Sequence, residues 1–419
     1  MKVQSEKMDN TSFFILRPSF LCLIPYVVIM SESSQKQHWW NNAQHRSLFF
    51  QVALVAMLVG FFWFIGTNTL ANLEKRGIST GFGFLSLKAG FGILQSLVPY
   101  DESYSFGRTF VVGLLNTLLV SVLGIFFATI IGFTVGVARL SNNWLISKLA
   151  GVYVEMFRNI PLLLQMFFWY FAVLRTLPSP RQSWTAGEVA FINIRGMYLP
   201  RPLFGDSFSF VGWTFILAIV ATFFIRRWAK KRQDETGQQF KMGRVAFGLI
   251  VGLPVLVFFA LGSPLSWDIP QLQGFNFKGG MTIIPELTAL LVALSVYTAT
   301  FIAEAVRSGI LAVNSGQTEA ASALGLRKGK VLKLVVIPQA LRVIIPQLTS
   351  QYLNLVKNSS LATAIGYPDL VAVFAGTTLN QTGQAIEIIA MTMSVYLVIS
   401  LAISGVMNWY NKKIMLVER

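Results

Sequence analysis

The chain has 419 residues, 54% of them hydrophobic and only 12% charged, with a mean hydropathy of +0.59 and a formal charge of +16. A soluble domain carries about a quarter charged residues, whereas here the apolar residues fall in runs of roughly 20, the length that crosses ~30 Å of hydrocarbon at ~1.5 Å per residue. A soluble fold is excluded, and the basic excess belongs to cytoplasmic loops rather than to a nucleic-acid surface. Metal and cofactor chemistry have no ligands to use: Cys22 is the single cysteine, and the two histidines, His38 and His45, precede the first span.

Taken in chain order, the runs predict eight spans: residues 49–70, 109–138, 146–174, 210–225, 245–261, 285–312, 343–360 and 386–409. The fold expected is an all-α, polytopic membrane bundle. The seventh run is interrupted by Pro346, Gln347 and Lys357, and the fourth is short. Ahead of the first, residues 13–30 are apolar but broken by Arg17, Pro18 and Pro25 and lack a good cleavage site. Met30 is therefore the preferred start, with residues 1–29 untranslated.

Loop charges set the orientation. Arg226, Arg227, Lys230, Lys231, Arg232, Lys241 and Arg244 lie between spans four and five, against Asp234 and Glu235. Arg327, Lys328, Lys330 and Lys333 lie between spans six and seven, and Lys412, Lys413 and Arg419 close the tail. With eight spans all three segments share one side, which the positive-inside rule makes the cytoplasm. Residues 361–385, on the other side, contain no Lys or Arg. Both termini are expected inside.

The most informative segment is 318–338, TEAASALGLRKGKVLKLVVIP. Glu319, Ala320 and Ala321 open a run of helix formers, and Gly325 sits where a left-handed cap would end it. A second helical run, 328–337, is expected to stop at Pro338. Small alanines leave a shallow face that could enter a groove on a partner. This segment resembles the cytoplasmic loop of permease subunits of bacterial ABC importers: EAA, three residues, Gly, nine residues, Ile, one residue, Leu-Pro. Glu319, Ala320, Ala321, Gly325 and Pro338 match in type and spacing, while Val335 and Ile337 replace the usual Ile and Leu.

Residues 155–171, 295–310 and 337–362 resemble the corresponding stretches of polar amino acid permeases, and the added spans are similar to a general L-amino acid importer subunit. The resemblance implies a type I importer core and an EAA loop that docks on an ATPase. It divides the chain into a leader (1–48), an extra span with a periplasmic loop (49–108), core spans two and three (109–174), an insertion (175–284) and core spans six to eight (285–419), with the coupling loop at 315–340. It implies as partners an ATPase dimer, a second permease, a periplasmic amino-acid-binding protein and the lipid bilayer. The location it implies is the bacterial inner membrane.

Charges within or near spans are expensive and often functional. Glu155 and Arg158, and Glu304 and Arg307, are three apart, so each pair can neutralise itself on one helix face. Lys357, beside Asn354, Asn358, Ser359 and Ser360, either snorkels to the periplasmic interface or lines a path and meets a substrate carboxylate. Asn354, Ser359, Thr298, Glu304 and Arg307 complete the candidate path. Thr117, Ser121 and Gly124 in span two, and Thr288, Ser295, Thr298 and Ala299 in span six, fit close helix packing better than substrate lining.

No GxxxxGK[ST] occurs; Gly325 to Val331 has the wrong spacing and no hydroxyl. The chain is not expected to be an enzyme, and the ATPase would be a separate subunit. A stand-alone secondary transporter or channel is the alternative, but it predicts inverted-repeat halves, and none is visible.

Overall fold

The computed structural model describes residues 43–75, 77 and 80–414; the expectation about Met30 lies outside them. Helix α1 (Ala43–Lys75) stands as a unit of its own, apolar on all sides and with none of its span buried. Such a helix suits lipid and not water.

The second unit begins at Gly77. It carries α2 (Phe106–Ala138), α3 (Trp144–Asn159) and α4 (Leu162–Phe167), then four short strands: β1 (Trp184–Ala186), β2 (Ala190–Asn193), β3 (Gly196–Leu199) and β4 (Arg201–Phe204). A hairpin of spans follows: α5 (Phe208–Thr236), then α6 (Met242–Phe247) and α7 (Leu253–Ala260) joined by a wide turn at Gly248–Gly252. Strands β5 (Leu265–Asp268), β6 (Gln271–Gln273), β7 (Asn276–Lys278) and β8 (Met281–Ile283) lead into α8 (Pro285–Leu311). Last come α9 (Ser315–Ala323), α10 (Lys328–Val331), α11 (Ile337–Asn358), α12 (Leu379–Thr382) and α13 (Ala385–Ile414).

Among the described residues seven helices are long and apolar enough to cross a membrane, and the pair α3–α4 makes an eighth crossing only as a broken one, bent by 103°. This corrects the expected straight span 146–174. Pro161 disfavours helical backbone at the residue before it, and Ile160 is extended, at φ −94° and ψ 126°. The break exposes carbonyls at the end of α3, which a bilayer cannot hydrate. Gln165 satisfies two of them, its Nε2 donating to Phe157 O at 2.8 Å and to Ile160 O at 2.9 Å.

Pro338 brings a second correction: it does not stop a helix. The rod runs unbroken over Lys328–Ile365. A proline lacks the N–H and its ring conflicts with the carbonyl four residues earlier; the widened turn at Leu332–Val336 makes room for both. Helix α5 is also longer than expected, so that Arg226, Arg227, Lys230, Lys231 and Arg232 ride on its helical end rather than in a loop.

The strands were not foreseen in an all-α reading. They form small antiparallel pairings, of which one closes the insertion on itself: β3 pairs with β8, with Tyr198 opposite Thr282. The rings of Phe191 and Tyr198 cover the buried Phe277 at 4.6 and 4.7 Å.

Helix α8 is the axis of the bundle. Of its most apolar stretch 67% is buried, against no more than 33% for any other span. Leu290, Leu294 and Ile302 on α8 are wholly buried. Helix α2 lies against it closely enough that a Cβ on Gly132 would sit 2.5 Å from Ile302 Cβ and 3.1 Å from Ala299 O. The turn at 366–370 is pinned to α2: Tyr367 Oη donates to Asn116 O at 3.2 Å, Asn116 Nδ2 to Pro368 O at 2.8 Å, and Leu370 N to Thr117 Oγ1 at 3.0 Å. Thr117 thus serves packing.

Gly132→Ala is expected to cost about 1–3 kcal/mol, the usual penalty of an overpacked core. Gly151→Ala, whose Cβ meets nothing within 4 Å in the middle of α3, should instead raise stability by up to about 1 kcal/mol, the helix preference of Ala over Gly. Thermal unfolding of the two purified variants in detergent measures the difference.

Candidate functional site

The segment between α8 and α11 is built from local rules. Asn314 caps α9, its Oδ1 accepting from Gly316 N at 2.8 Å. At the other end Gly325 adopts φ +77°, a left-handed conformation that few side chains tolerate. Its N–H donates to Ser322 O at 2.9 Å and Leu326 N–H donates to Ala321 O at 3.3 Å, the paired bonds of a Schellman cap. The chain then turns back, and Ala321, Val331 and Val336 bury against one another with Leu326 and Val335 packed beside them.

This packing divides the motif. Ala321 is 6% exposed and belongs to the small core, whereas Glu319, Ala320, Ala323 and Leu324 face outward. Leu324 is 83% exposed, a bare leucine at the tip of the turn. Arg327, Lys328, Lys330 and Lys333, which follow it in the chain, are exposed as well. Pro338 sits in the first turn of α11, beneath this module. The sequence reading overlooked Leu324; the signal available was a lone leucine immediately before a capping glycine.

The residues expected to line a path differ in their surroundings. Thr298 and Ser359 are buried between helices, and the Ser359 hydroxyl donates back to Val356 O at 2.7 Å. Lys357 and Asn354 are exposed on α11. Glu304 and Arg307 do pair, Arg307 Nη2 donating to Glu304 Oε1 at 2.9 Å. The other carboxylate oxygen accepts from Arg139 Nη1 at the end of α2, a partner the sequence reading missed although it stands directly after the second span. Glu155 and Arg158, expected to pair in the same way, do not: the Arg158 guanidinium lies over the Phe301 ring, 5.3 Å from its centre.

With that geometry, the chain can be set beside known proteins. Residues 241–416 match the family described as binding-protein-dependent transport system inner membrane component. The chain is 57% identical to the putative amino-acid ABC transporter permease protein YhdX of Escherichia coli (strain K12), over 90% of this chain and 96% of that one. It is 54% identical to the general L-amino acid transport system permease protein AapQ of Rhizobium johnstonii, over 90% and 94%. It is 44% identical to the glutamate/glutamine/aspartate/asparagine transport system permease protein BztB of Rhodobacter capsulatus, over 90% and 96%. The chain therefore belongs to the family of ABC transporter permeases, the membrane subunits of binding-protein-dependent importers. It is a multi-pass membrane protein that works within an ABC transporter complex.

Glu304→Gln is expected to destabilise the purified protein more than Arg139→Gln or Arg307→Gln. It leaves two guanidiniums facing each other, whereas each arginine change leaves Glu304 one partner. Because these side chains are 18–34% exposed, the single arginine losses should stay near ~1 kcal/mol after discounting for screening. Denaturation midpoints of the three variants give the order.

Proposed function

We propose that the chain moves amino acids inward across the bacterial inner membrane, and that α9 and its capping turn form the docking element for a separate ATP-hydrolysing subunit. The supporting observation is the division of the 318–338 module. Ala321, packed with Val331 and Val336, and the left-handed Gly325 hold the turn, and that turn leaves Glu319, Ala320 and Leu324 exposed in a segment rich in exposed basic residues. Packed modules of this kind transmit motion because they switch between discrete arrangements instead of bending continuously.

The amino acid cargo is inferred from three relatives named for amino acid transport that align along nine tenths of the chain. One permease chain supplies half of a pathway, so a second permease, like or unlike this one, completes it, and a periplasmic binding protein delivers the solute. Counting α3–α4 as one crossing gives eight spans. Both termini then lie in the cytoplasm, together with the basic end of α5 and the 318–338 module. ATP hydrolysis belongs to the partner ATPase dimer.

Gly325→Val places a β-branched residue at φ +77°, where it is a genuine outlier. In the reconstituted transporter it should cut uptake at least about tenfold, a loss of ~1.4 kcal/mol in coupling, while the subunit still inserts. Leu324→Glu should weaken co-purification of the ATPase. Uptake that persists without any ATPase subunit would instead establish a stand-alone transporter.

A further inference from the structure

At the end of α5 the apolar span gives way at once to charge. Residues 208–225 contain no charged side chain, and a helix of that length rises ~27 Å, close to the ~30 Å thickness of hydrocarbon. Arg226, which follows, therefore stands at the depth of the lipid phosphates. Helix α5 continues to Thr236, so Arg226, Arg227, Lys230, Lys231 and Arg232 climb through the headgroup layer on a helix instead of dispersing in a loop. At Gly237, φ +68°, the chain reverses. The Phe240 ring meets that of Trp228 at 5.7 Å, and Arg232 Nη2 donates to Gln238 Oε1 at 3.1 Å. This fold-back returns Lys241 to near the level of Trp228, and Arg244 follows it in α6.

Insertion alone asks only for an excess of Lys and Arg on one side; the arrangement here is more particular. Arg226 and Lys230, and Arg227 and Lys231, are each four apart, the spacing at which like charges oppose one another on a helix face. Ala229 is buried, and with 3.6 residues per turn Arg227 and Lys231 point away from it. The seven cations of 226–244 meet only Asp234 and Glu235. Among the described residues one ion pair forms there, Lys231 with Glu235 at 3.8 Å, both exposed. Arg227, Lys230 and Lys231, with Trp228 and Asp234, line a groove of about 450 Å³. Arg227 lies over the Phe223 ring and Arg232 over the Trp228 ring, each 5.5 Å from the centre. A guanidinium stacked by its face keeps the donors along its edge.

We propose that this cluster is a binding site for anionic phospholipids, whose phosphates bridge Arg226 with Lys230 and Arg227 with Lys231. Each bridge relieves the repulsion between like charges, and an arginine can hold two phosphate oxygens at once. Asp234 cancels part of the charge of the groove and leaves it cationic. A zwitterionic lipid gains less, because its own ammonium group opposes the approach of its phosphate. The apolar stretches of α5 and of α6–α7 are each only 6% buried, so lipid reaches the groove from the side. The inserted hairpin thereby acquires a tie to the membrane that its sparse packing does not supply. The site requires no assumption about the solute carried.

The test places the complete transporter in phosphatidylcholine vesicles doped with photoactivatable phosphatidylglycerol or photoactivatable phosphatidylcholine, and maps the labelled residues by mass spectrometry. The phosphatidylglycerol probe should label residues 223–244 at least about threefold more than its zwitterionic counterpart. Unlabelled phosphatidylserine should compete and inorganic phosphate should not. Raising the ionic strength from about 0.1 M to about 1 M, which shortens the screening length from ~10 to ~3 Å, should erase the difference. Removing cations outright would also weaken the insertion signal, so the variant moves them instead. Arg227→Gln and Lys231→Gln combined with Thr236→Lys and Gln239→Lys keeps seven cations in the segment, and should bring the two probes to parity while the chain still inserts. Equal labelling of the wild type by both probes, a preference that survives the redistribution or the high salt, or competition by inorganic phosphate would each overturn the lipid site. So would a cluster that neither lipid labels once the ATPase subunits are bound, the sign of an acidic protein surface there instead.

Discussion

The close approach of α2 to α8 at Gly132 is the contact on which the rest of the bundle depends. Hydrocarbon gives helices no hydrophobic reason to associate, so association rests on van der Waals packing and on small residues that let backbones come near. With α2 seated on Ala299 and Ile302, α8 becomes a buried axis. The remaining faces of α8 are then free to receive α3, α4 and α11. The same contact brings Arg139 at the end of α2 to Glu304 on α8. The paired acid is therefore a consequence of helix packing as much as of electrostatics.

A second constraint is the need to satisfy every backbone group at membrane depth. The chain breaks regular helix at Ile160–Pro161 and below Pro338, and each break has a local remedy. At the first, a glutamine side chain takes the carbonyls that the helix abandons. At the second, a widened turn carries the proline through. The first remedy lies at the bend that follows α3, and the second lies within the 318–338 module, where the constraint is the continuity of the helix rather than the lack of water.

Much of the fold was legible because its signals are local. Runs of apolar residues locate the spans, and the helix, glycine and alanines of 315–325 follow from capping rules that act within a few residues. What the sequence did not disclose depends on distant partners or on competition. Arg139 and Glu304 are 165 positions apart, and no spacing rule joins them. The i, i+3 rule suggested a Glu155–Arg158 pair, but the sharp bend that follows leaves Arg158 against an aromatic ring on another helix. Pro338 looked like a terminator because the rule for isolated helices ignores a widened turn. The division of Ala320 from Ala321, one outward and one buried, needed the packing of Val331 and Val336. The strands of the insertion escaped notice because three or four residues among membrane spans give no usable period.

Those strands bear on how such a chain could have been assembled. β3 and β8 flank the hairpin of α5, α6 and α7 and lie side by side, Met197 opposite Ile283 and Leu199 opposite Met281. Paired strands hold their Cα atoms ~4.5–5.5 Å apart, so the polypeptide leaves the core and returns to it at nearly one point. Everything between is a detour with adjoining ends. Two spans can thus be gained or lost by joining those ends across a tight turn, without moving any helix that packs on α8. The core is in this sense indifferent to the length of its largest addition.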